Sequence, residues 1–287
     1  MEGNKNYKIL VTGANGQLGK CIFDVKDKFP AFTFLFTDIE ELDITDKKSV
    51  FAIFEDFKPD FCINCAAYTA VDKAESEREI CTSINKTGPG NLALACDHFE
   101  TTLIHISTDY VYHVSDNEII TEESELNPKS HYAVSKLEGE NEVVNILQKH
   151  IIIRTSWLYS EYGHNFVKTI LKLAVEKPQI SVVDDQIGSP TYAGDLAMAI
   201  CEIIKNEPKY GVFNYSNEGF ISWYDFAKEI IQHSGYGCRV IPISSDQYSA
   251  PAPRPGNSRL SKEKIKLAFQ ISIPYWKDSL ITCLRKI

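Results

Sequence analysis

The chain has 287 residues, of which 44% are hydrophobic and 24% are charged, and it carries a formal net charge of −9 at pH 7. This length and composition are typical of a globular protein with one large domain and a smaller lobe, and they argue against a disordered chain. The negative charge and the lack of any Lys/Arg-rich run disfavour binding to nucleic acid or to an anionic membrane surface.

The first half of the sequence alternates between short apolar runs and segments with helical spacing. The first apolar run, residues 7–11, is too short for a signal peptide or a membrane span, so we expect a cytoplasmic protein. The predicted strands cover 8–12, 32–37, 61–65, 103–107 and 151–154, and the predicted helices cover 16–28, 46–57, 82–99 and 128–148. Apolar strands that alternate with helices indicate an α/β fold, in which helices cover both faces of a parallel sheet.

The second half of the sequence is less regular. Its predicted helices cover 165–175, 195–204 and 222–233, its predicted strands cover 180–183 and 212–215, and a Pro-rich stretch at 250–255 precedes a final amphipathic segment. We expect residues 156–287 to form mainly a smaller C-terminal lobe that binds the substrate. The strands near 180 and 212 are expected to return to the sheet.

Eight cysteines are scattered along the chain, mostly among apolar neighbours. Cys62 and Cys65 have the spacing of a zinc-binding pair, but a structural zinc site needs four ligands and the sequence has no second pair of this kind. The two residues lie on a predicted strand, where positions three apart point to opposite faces. We therefore expect reduced, packed thiols and no metal; His105 and His164 are likewise interpreted as structural.

A glycine-rich turn, G-A-N-G-Q-L-G, joins the first predicted strand to the first predicted helix. Gly13 permits the sharp turn, Gly16 lets the backbone approach a pyrophosphate, and Gly19 allows the helix to pack closely on the strand. The N–H groups at the start of the helix then face the phosphates. This position predicts a Rossmann-type doubly wound parallel sheet, with a dinucleotide-binding domain over residues 1–155.

The second predicted strand ends at Asp38, which can accept hydrogen bonds from the ribose hydroxyls of an adenosine. Glu40 and Glu41 follow, with no Lys or Arg close by. A 2′-phosphate would meet like charges here, which predicts that NADH is used at least as well as NADPH. An ordinary solvated turn is the alternative interpretation of Asp38.

Two further segments carry side chains suited to proton transfer. Thr108 follows the fourth predicted strand, at the sheet edge where ligands bind in such folds. Tyr132 and Lys136 are four residues apart on a predicted helix and so lie on one face. A fixed ammonium lowers the pKa of a nearby phenol, and a hydroxyl such as that of Thr108 can hold a carbonyl oxygen beside it. The sequence therefore predicts a catalytic set of Thr108, Tyr132 and Lys136.

With these motifs the chain resembles the extended short-chain dehydrogenases/reductases and, within them, the dTDP-4-dehydrorhamnose reductase family. Besides the glycine turn, the matching segments are L-D-I-T-D at 42–46, C-A-A-Y-T-A-V-D-K-A-E at 65–75, S-T-D-Y-V-Y at 107–112, Y-A-V-S-K at 132–136, R-T-S-W-L-Y at 154–159, N-F-V-K-T at 165–169, D-Q-I-G-S-P-T at 185–191 and R-P-x-N-S at 254–258. These segments span nearly the whole chain, in the family's order.

The resemblance implies that NADH or NADPH reduces the C4 ketone of dTDP-4-dehydro-6-deoxy-L-mannose to dTDP-L-rhamnose. Tyr132 would protonate the alkoxide, Lys136 would hold the nicotinamide ribose, and Thr108 would orient the carbonyl. The resemblance implies cofactor-binding residues at Gly13, Gly16, Gln17, Leu18, Asp38, Asp43, Ile44, Ala66, Ala67 and Tyr68, besides Tyr132 and Lys136. It implies substrate-binding residues at Thr108, Asp109, Trp157, Asn165 and Arg254.

Other interpretations stay open. Trp157 has the alternative interpretation of a core aromatic residue. A dehydratase of the same fold is disfavoured, because such enzymes are similar to one another in an S-T-D-E motif at this position. The glutamate of that motif is Tyr110 in this chain. A non-catalytic, NAD(P)-binding regulatory subunit is disfavoured by the complete catalytic set. A reductase of a related nucleotide 4-keto-6-deoxy sugar shares all of these motifs.

The resemblance also bears on metal and assembly. The resemblance implies that some members of the family form dimers bridged by Mg²⁺. Their carboxylate ligands stand at the positions that are Cys21 and Gly194 here. A thiol and a glycine offer no oxygen ligand to this hard ion. Asp195 is adjacent to Gly194, but a shift of one residue on a helix turns a side chain by about 100°. We therefore expect no bound metal and no Mg²⁺-bridged dimer.

Overall fold

The computed structural model describes residues 6–114, 118–206, 208–248 and 250–287. Its strands are β1 (Tyr7–Thr12), β2 (Phe32–Thr37), β3 (Phe61–Asn64), β4 (Thr102–Thr108), β5 (His150–Thr155), β6 (Leu158–Tyr159), β7 (Gln179–Val183), β8 (Ile187–Gly188), β9 (Thr191–Tyr192), β10 (Gly211–Tyr215), β11 (Ile221–Ser222), β12 (Arg239–Ile243) and β13 (Asn257–Ser258). Its helices are α1 (Gln17–Val25), α2 (Lys47–Phe57), α3 (Val71–Ala74), α4 (Arg78–Thr82), α5 (Gly88–His98), α6 (His131–Ile146), α7 (Phe166–Glu176), α8 (Ala193–Lys205), α9 (Trp223–Ser234), α10 (Glu263–Phe269) and α11 (Trp276–Leu284).

Six strands form the central parallel sheet, in the order β10-β5-β4-β3-β1-β2. The order reverses between β1 and β3, which is the point at which doubly wound sheets open a crevice for ligands. The carboxyl ends of β1, β3 and β4 therefore carry their loops to one edge of the sheet. This edge is where the predicted site residues meet.

Helices cover both faces of the central sheet, because its inner strands are apolar on both sides. Ile9, Leu10 and Val11 of β1, for example, are fully buried. Side chains of α1, α8 and α10 pack on one face, and side chains of α2, α5 and α6 pack on the other. The predicted helix over 82–99 changes its hydrogen bonding: a π-helical turn over Ser83–Thr87 runs into α5, whose first turn contains Pro89, a residue without an N–H to donate.

The C-terminal lobe has its own apolar core, made by β7, α7, α9 and α11. The expectation that the strand near 180 returns to the central sheet is wrong, since β7 pairs in parallel with β12 instead. Buried and exposed residues alternate in the first half of β7, so only one of its faces is fully covered. The strand near 212 is β10, which lies at the edge of the central sheet beside β5. The division of the chain near residue 155 stays a prediction.

In the described part of the chain, no helix has both the length and the apolar character needed to cross a membrane.

Candidate active site

The glycine turn after β1 is fixed by a close approach between two loops. Gly13 has a φ of +66°, and a Cβ at this position would lie 2.5 Å from the backbone nitrogen of Ala66 in the loop after β3. Helix α1 begins directly after Gly16, and no side chain caps its first N–H groups. These free N–H groups and the positive end of the helix suit a diphosphate.

A cavity of about 380 Å³ lies beside this turn. It is lined by Gly13, Asn15, Gly16, Asp38, Ile39, Leu42, Asp43, Ile44, Cys65, Ala66, Ala67 and Ile84, and we call it the adenosine cavity. The Asp38 carboxylate accepts hydrogen bonds from the N–H groups of Asn15 at 2.7 Å and Ile39 at 2.8 Å. The Asp43 carboxylate accepts the N–H and hydroxyl of Thr45, so it shapes the loop.

The adenosine cavity thus brings together seven of the predicted cofactor residues, while Tyr68 lies outside its lining. The hydroxyl of Tyr68 donates to Glu77, and its N–H donates to Asn85 at 2.9 Å. These contacts orient the Tyr68 ring so that it packs against a small apolar cluster that includes Tyr110 and Tyr132.

A second cavity, of about 560 Å³, continues from the first at Gly16, Cys65 and Ala67. We call it the central cavity. It is lined by Gln17, Leu18, Thr69, Val71, Ile106, Ser107, Thr108, Asp109, Tyr110, Tyr132, Lys136, Thr155, Ser156, Trp157, Leu158, Gly163 and His164, besides the three shared residues. The structure therefore places the whole predicted catalytic set in one cavity, next to the space for an adenosine.

Helix α6 carries Tyr132 and Lys136 to this cavity. The helix begins after Ser130, whose side chain caps it by accepting the Ala133 N–H at 3.2 Å. The Lys136 ammonium is 2% exposed and donates to the Ile106 carbonyl of β4 at 2.7 Å. Burial lowers the pKa of Lys136 to about 8, although the Glu140 carboxylate opposes this shift.

The phenol of Tyr132 differs from the expectation. Burial raises its pKa above the ordinary value, and a hydrogen bond with Thr108 opposes the rise. The expected lowering by Lys136 is not what the structure shows, because the ammonium points to the carbonyl of Ile106. Tyr132 is therefore a fully protonated donor in this arrangement.

A chain of buried hydrogen bonds fixes the proton on His105 of β4. The Asn64 side-chain oxygen accepts from the Thr12 hydroxyl at 2.8 Å and the Ala66 N–H at 3.1 Å, so its NH₂ group donates to His105 Nδ1 at 3.0 Å. Neutral His105 then carries its proton on Nε2, which faces Lys136 Nζ at 3.5 Å. Two donors that face each other favour the neutral amine, in the same direction as burial.

A buried ion pair supports the floor of the site. Glu140, one turn after Lys136, accepts from the Arg154 guanidinium of β5 through Nε at 3.0 Å and Nη2 at 2.6 Å. The Ser107 hydroxyl of β4 also donates to Glu140, and Arg154 donates to the Tyr112 hydroxyl at 2.8 Å. These contacts tie α6 to the ends of β4 and β5.

A third cavity, of about 390 Å³, opens toward the C-terminal lobe, and we call it the lobe cavity. Trp157, Tyr110 and His164 line both it and the central cavity. The Trp157 ring stacks on Trp223 with 3.7 Å between ring centroids and 15° between planes. Its backbone is left-handed, with a φ of +48°, a strained conformation typical of functional sites. Trp157 is thus a partly exposed wall of the cleft rather than a core residue.

The two predicted residues at the nucleotide end differ in their surroundings. Arg254 lines the lobe cavity and pairs with Asp72 at 2.9 Å. Asn165 also lines that cavity, but its amide donates to the Gln17 side chain and the Ser160 carbonyl, each at 2.8 Å, and its oxygen caps α7. Asn165 therefore positions Gln17 in the central cavity.

Several lining residues were not predicted as site residues. They include Tyr110, Phe166, Trp223, Tyr248 and Ser258. Trp223 and Tyr248 lie outside every motif, so no sequence signal identified them. Ser258 and Phe166 fall within matching segments, which was the signal available for them.

Of the positions considered for Mg²⁺, Cys21 is buried, and Gly194 and Asp195 are half-buried. Cys21 is 1% exposed, and a Cβ on Gly194 would lie 2.5 Å from the Tyr192 ring. Asp195 is half-buried and accepts from Asn217 at 2.7 Å and from Ser279. Among the described residues, no group of three or more metal-ligating side chains is assembled. The absence of a metal-bridged dimer stays a prediction.

Comparisons with known proteins identify the family of the chain. The model of the family described as RmlD substrate binding domain matches residues 7–287. A protein named dTDP-4-dehydrorhamnose reductase from Aggregatibacter actinomycetemcomitans is 39% identical, and the match covers 95% of this chain and 97% of that protein.

Solved structures give the same result and confirm the predicted Rossmann-type fold. A dTDP-4-dehydrorhamnose reductase from Clostridium acetobutylicum has a TM-score of 0.91 and 41% identity, over 97% of this chain and 98% of its own. One from Bacillus anthracis, in complex with NADP, has a TM-score of 0.93 and 37% identity, over 98% and 100%. Since the matches span nearly the full length of both partners, the chain belongs to the dTDP-4-dehydrorhamnose reductase family, as its motifs predicted.

Proposed function

We propose that this protein uses NADH or NADPH to reduce the C4 ketone of dTDP-4-dehydro-6-deoxy-L-mannose to dTDP-L-rhamnose. The observation that carries this proposal is the central cavity, where Thr108, Tyr132 and Lys136 lie together beside the adenosine cavity. The names of the relatives support it, and the relative from Bacillus anthracis was solved with NADP.

The residues present fit a nicotinamide dinucleotide. The adenosine cavity lies against a turn in which Gly13 leaves no room for a Cβ, and the uncapped start of α1 faces it. Asp38 presents a carboxylate at the end of β2, and Gln17 and Leu18 line the way to the central cavity. When bound there, the cofactor supplies the hydride for C4.

The protein's own groups would manage the proton. Tyr132, protonated because burial raises its pKa, gives its proton to the developing oxyanion at O4. Thr108 lies beside Tyr132 and orients the same oxygen. Lys136, held by Ile106, binds the ribose hydroxyls of the cofactor. Trp157 and Asp109 contact the sugar, and Arg254 lies toward the nucleotide, where its guanidinium suits a phosphate.

A reductase of a related nucleotide 4-keto-6-deoxy sugar is the second candidate, because the same lining serves either C4 epimer. A regulatory subunit without turnover is disfavoured by the complete catalytic set. A dehydratase is disfavoured because Tyr110 occupies the position of the acid. The proposal also includes a cytoplasmic location, no nucleic-acid partner and no Mg²⁺-bridged dimer; a dimer that falls apart with EDTA and reforms with Mg²⁺ in light scattering would contradict the last point.

The decisive experiment combines product analysis with one substitution. The purified protein, coupled to a dehydratase and an epimerase that supply the keto sugar, should form dTDP-L-rhamnose, identified by NMR. Tyr132→Phe should lose roughly 10²-fold or more in kcat while its affinity for NADPH stays near that of the original protein. A different C4 epimer would favour the second candidate, and near-normal turnover by Tyr132→Phe would remove Tyr132 as the donor.

A further inference from the structure

Asp109 is a buried carboxyl group at the end of β4 that the roles above leave largely unused. It lines the central cavity and is only 2% exposed. Hydroxyl groups reach both of its oxygens: Thr108 donates to Oδ1 at 3.1 Å, and Ser258 of β13 donates to Oδ2. An acid with this degree of burial is held by two neutral donors rather than by solvent.

The direction of the hydrogen bond between Thr108 and Asp109 depends on the protonation of Asp109. An ionised carboxylate only accepts, so the Thr108 proton then points to Asp109. A protonated Asp109 can donate to the Thr108 oxygen, which leaves the Thr108 proton for the phenol oxygen of Tyr132. The Thr108 oxygen accepts from the Tyr110 N–H at 3.3 Å. A hydrogen bond with Thr108 also acts to lower the pKa of Tyr132, as expected where the threonine hydroxyl donates to the phenol oxygen. Tyr132, Thr108 and Asp109 therefore form a continuous line of proton donors and acceptors that ends at a carboxyl group.

We propose that Asp109 is the proton reservoir of the reduction, connected to Tyr132 through Thr108. This inference rests on the proposed reductase activity. As C4 gains the hydride, Tyr132 gives its proton to O4. The phenolate then takes the hydroxyl proton of Thr108, and Thr108 takes the proton of the Asp109 carboxyl group. One hydride and one proton enter the substrate, and the Asp109 carboxylate recovers a proton from water when the product leaves.

The chemistry of the neighbourhood agrees with this role. Burial raises the pKa of Asp109 to about 6, while the hydrogen bonds from Ser258 and Thr108 oppose the rise. An acid whose pKa lies near the working pH is well suited to proton delivery. Its titratable neighbours are Tyr110 and Tyr132, whose pKa values burial raises, and the pair Arg254–Asp72 faces Tyr110. Lys136 points away, to Ile106.

The test follows kcat against pH in three variants. In the unsubstituted protein kcat should fall as pH rises through the pKa of Asp109, because only the neutral acid holds a proton to give. Asp109→Asn should lose this alkaline limb and at least about 10-fold in kcat. Ser258→Ala should move the limb to higher pH, because it removes a hydrogen bond that stabilises the carboxylate.

Ser279→Ala is the matched control, since Ser279 also donates to a carboxylate that is withdrawn from solvent, that of the half-buried Asp195, outside the three cavities. It should leave the limb in place. Carboxyl ¹³C NMR of Asp-labelled protein gives a readout without turnover: one resonance, absent from Asp109→Asn, should titrate near the kinetic limb and shift upward in Ser258→Ala. NADPH binding shows that each variant is folded.

The proposed role of Asp109 would be wrong if the alkaline fall in kcat persisted in Asp109→Asn. It would also be wrong if this fall did not move to higher pH in Ser258→Ala. A protein that forms no C4 alcohol at any pH would instead overturn the proposed function, and the NMR titration of Asp109 would still be measurable.

Discussion

The adenosine cavity and the lobe cavity are built in opposite ways. The first is formed by residues between positions 13 and 84, most of them in the loops after β1, β2 and β3, and the backbone of Gly13 and Ala66 meets closely there. The second is formed by large side chains from distant segments, among them Tyr110, Trp157, Trp223 and Tyr248. Recognition of the cofactor thus depends on backbone conformation, whereas recognition of the sugar nucleotide depends on side chains that can change without disturbing the sheet.

The largest expected effect concerns neither end but the Glu140–Arg154 ion pair, which joins α6 to β5 next to the central cavity between them. Both side chains are less than 5% exposed. Glu140→Ala leaves an unpaired guanidinium in the interior, which should cost about 3–5 kcal/mol of the free energy of unfolding. Urea unfolding measures this, with Glu176→Ala of the exposed Lys172 pair as a control that should change little. A loss below about 1 kcal/mol in Glu140→Ala would show that the ion pair does not stabilise the fold to this extent.

The adenosine cavity should be the more sensitive end to a single added carbon. Gly13→Ala places a Cβ against the Ala66 backbone in a left-handed conformation, and the conformation alone costs on the order of 1–3 kcal/mol. We expect NADPH affinity to fall at least about 10-fold, as measured by fluorescence titration. Gly237→Ala, at a position with open space, should bind NADPH normally. Equal effects of the two changes would contradict a backbone-built cavity.

Truncation of a large side chain in the lobe cavity should weaken binding of the sugar nucleotide and leave binding of the cofactor unchanged. Trp223→Ala removes the ring that stacks on Trp157, an interaction worth about 0.5–1.5 kcal/mol. The KM for the keto sugar nucleotide should rise roughly 3- to 10-fold, and the NADPH affinity should not change. Trp223→Phe should recover part of the loss. A parallel loss of NADPH affinity would mean that the two ends are not independent.

The contrast between the two ends also explains what the sequence could predict. Gly13 and Asp38 lie directly after strands, and parallel strands bring their carboxyl ends to one edge, so local spacing sufficed. Tyr132 and Lys136 share a helical face, and Thr108 follows a strand of the same sheet. Their meeting therefore depends only on the fold class.

The helices of the lobe were predicted, but the pairing of its strands was not, because such short strands leave little periodic signal. Strands β8, β11 and β13 have two residues each, yet they place Ser258 beside Asp109 and Trp223 beside Trp157. Strand β7 was predicted in the wrong sheet, because an apolar run of residues has the same pattern in the central sheet and in the sheet of the lobe. The raised pKa of Tyr132 and the proton position on His105 depend on burial and on partners far away in the sequence.

The smallest expected effect concerns the choice between NADPH and NADH, which we expect to depend on one side chain of the adenosine cavity. Asp38 is partly buried in the adenosine cavity and both of its oxygens face backbone N–H groups, so the carboxylate is fixed in place. A 2′-phosphate nearby meets this charge, and Asp38→Asn removes it while keeping the shape. Like charges about 4 Å apart near a protein surface repel by roughly 1–4 kcal/mol, and solvent screening favours the lower end. We therefore expect the ratio of kcat/KM for NADPH to that for NADH to rise roughly 5- to 10-fold in Asp38→Asn. Glu40→Gln, an exposed position in the same loop, should change the ratio much less. If the unsubstituted protein strongly prefers NADPH, or if Glu40→Gln shifts the ratio as far as Asp38→Asn, the charge of Asp38 is not what selects the cofactor.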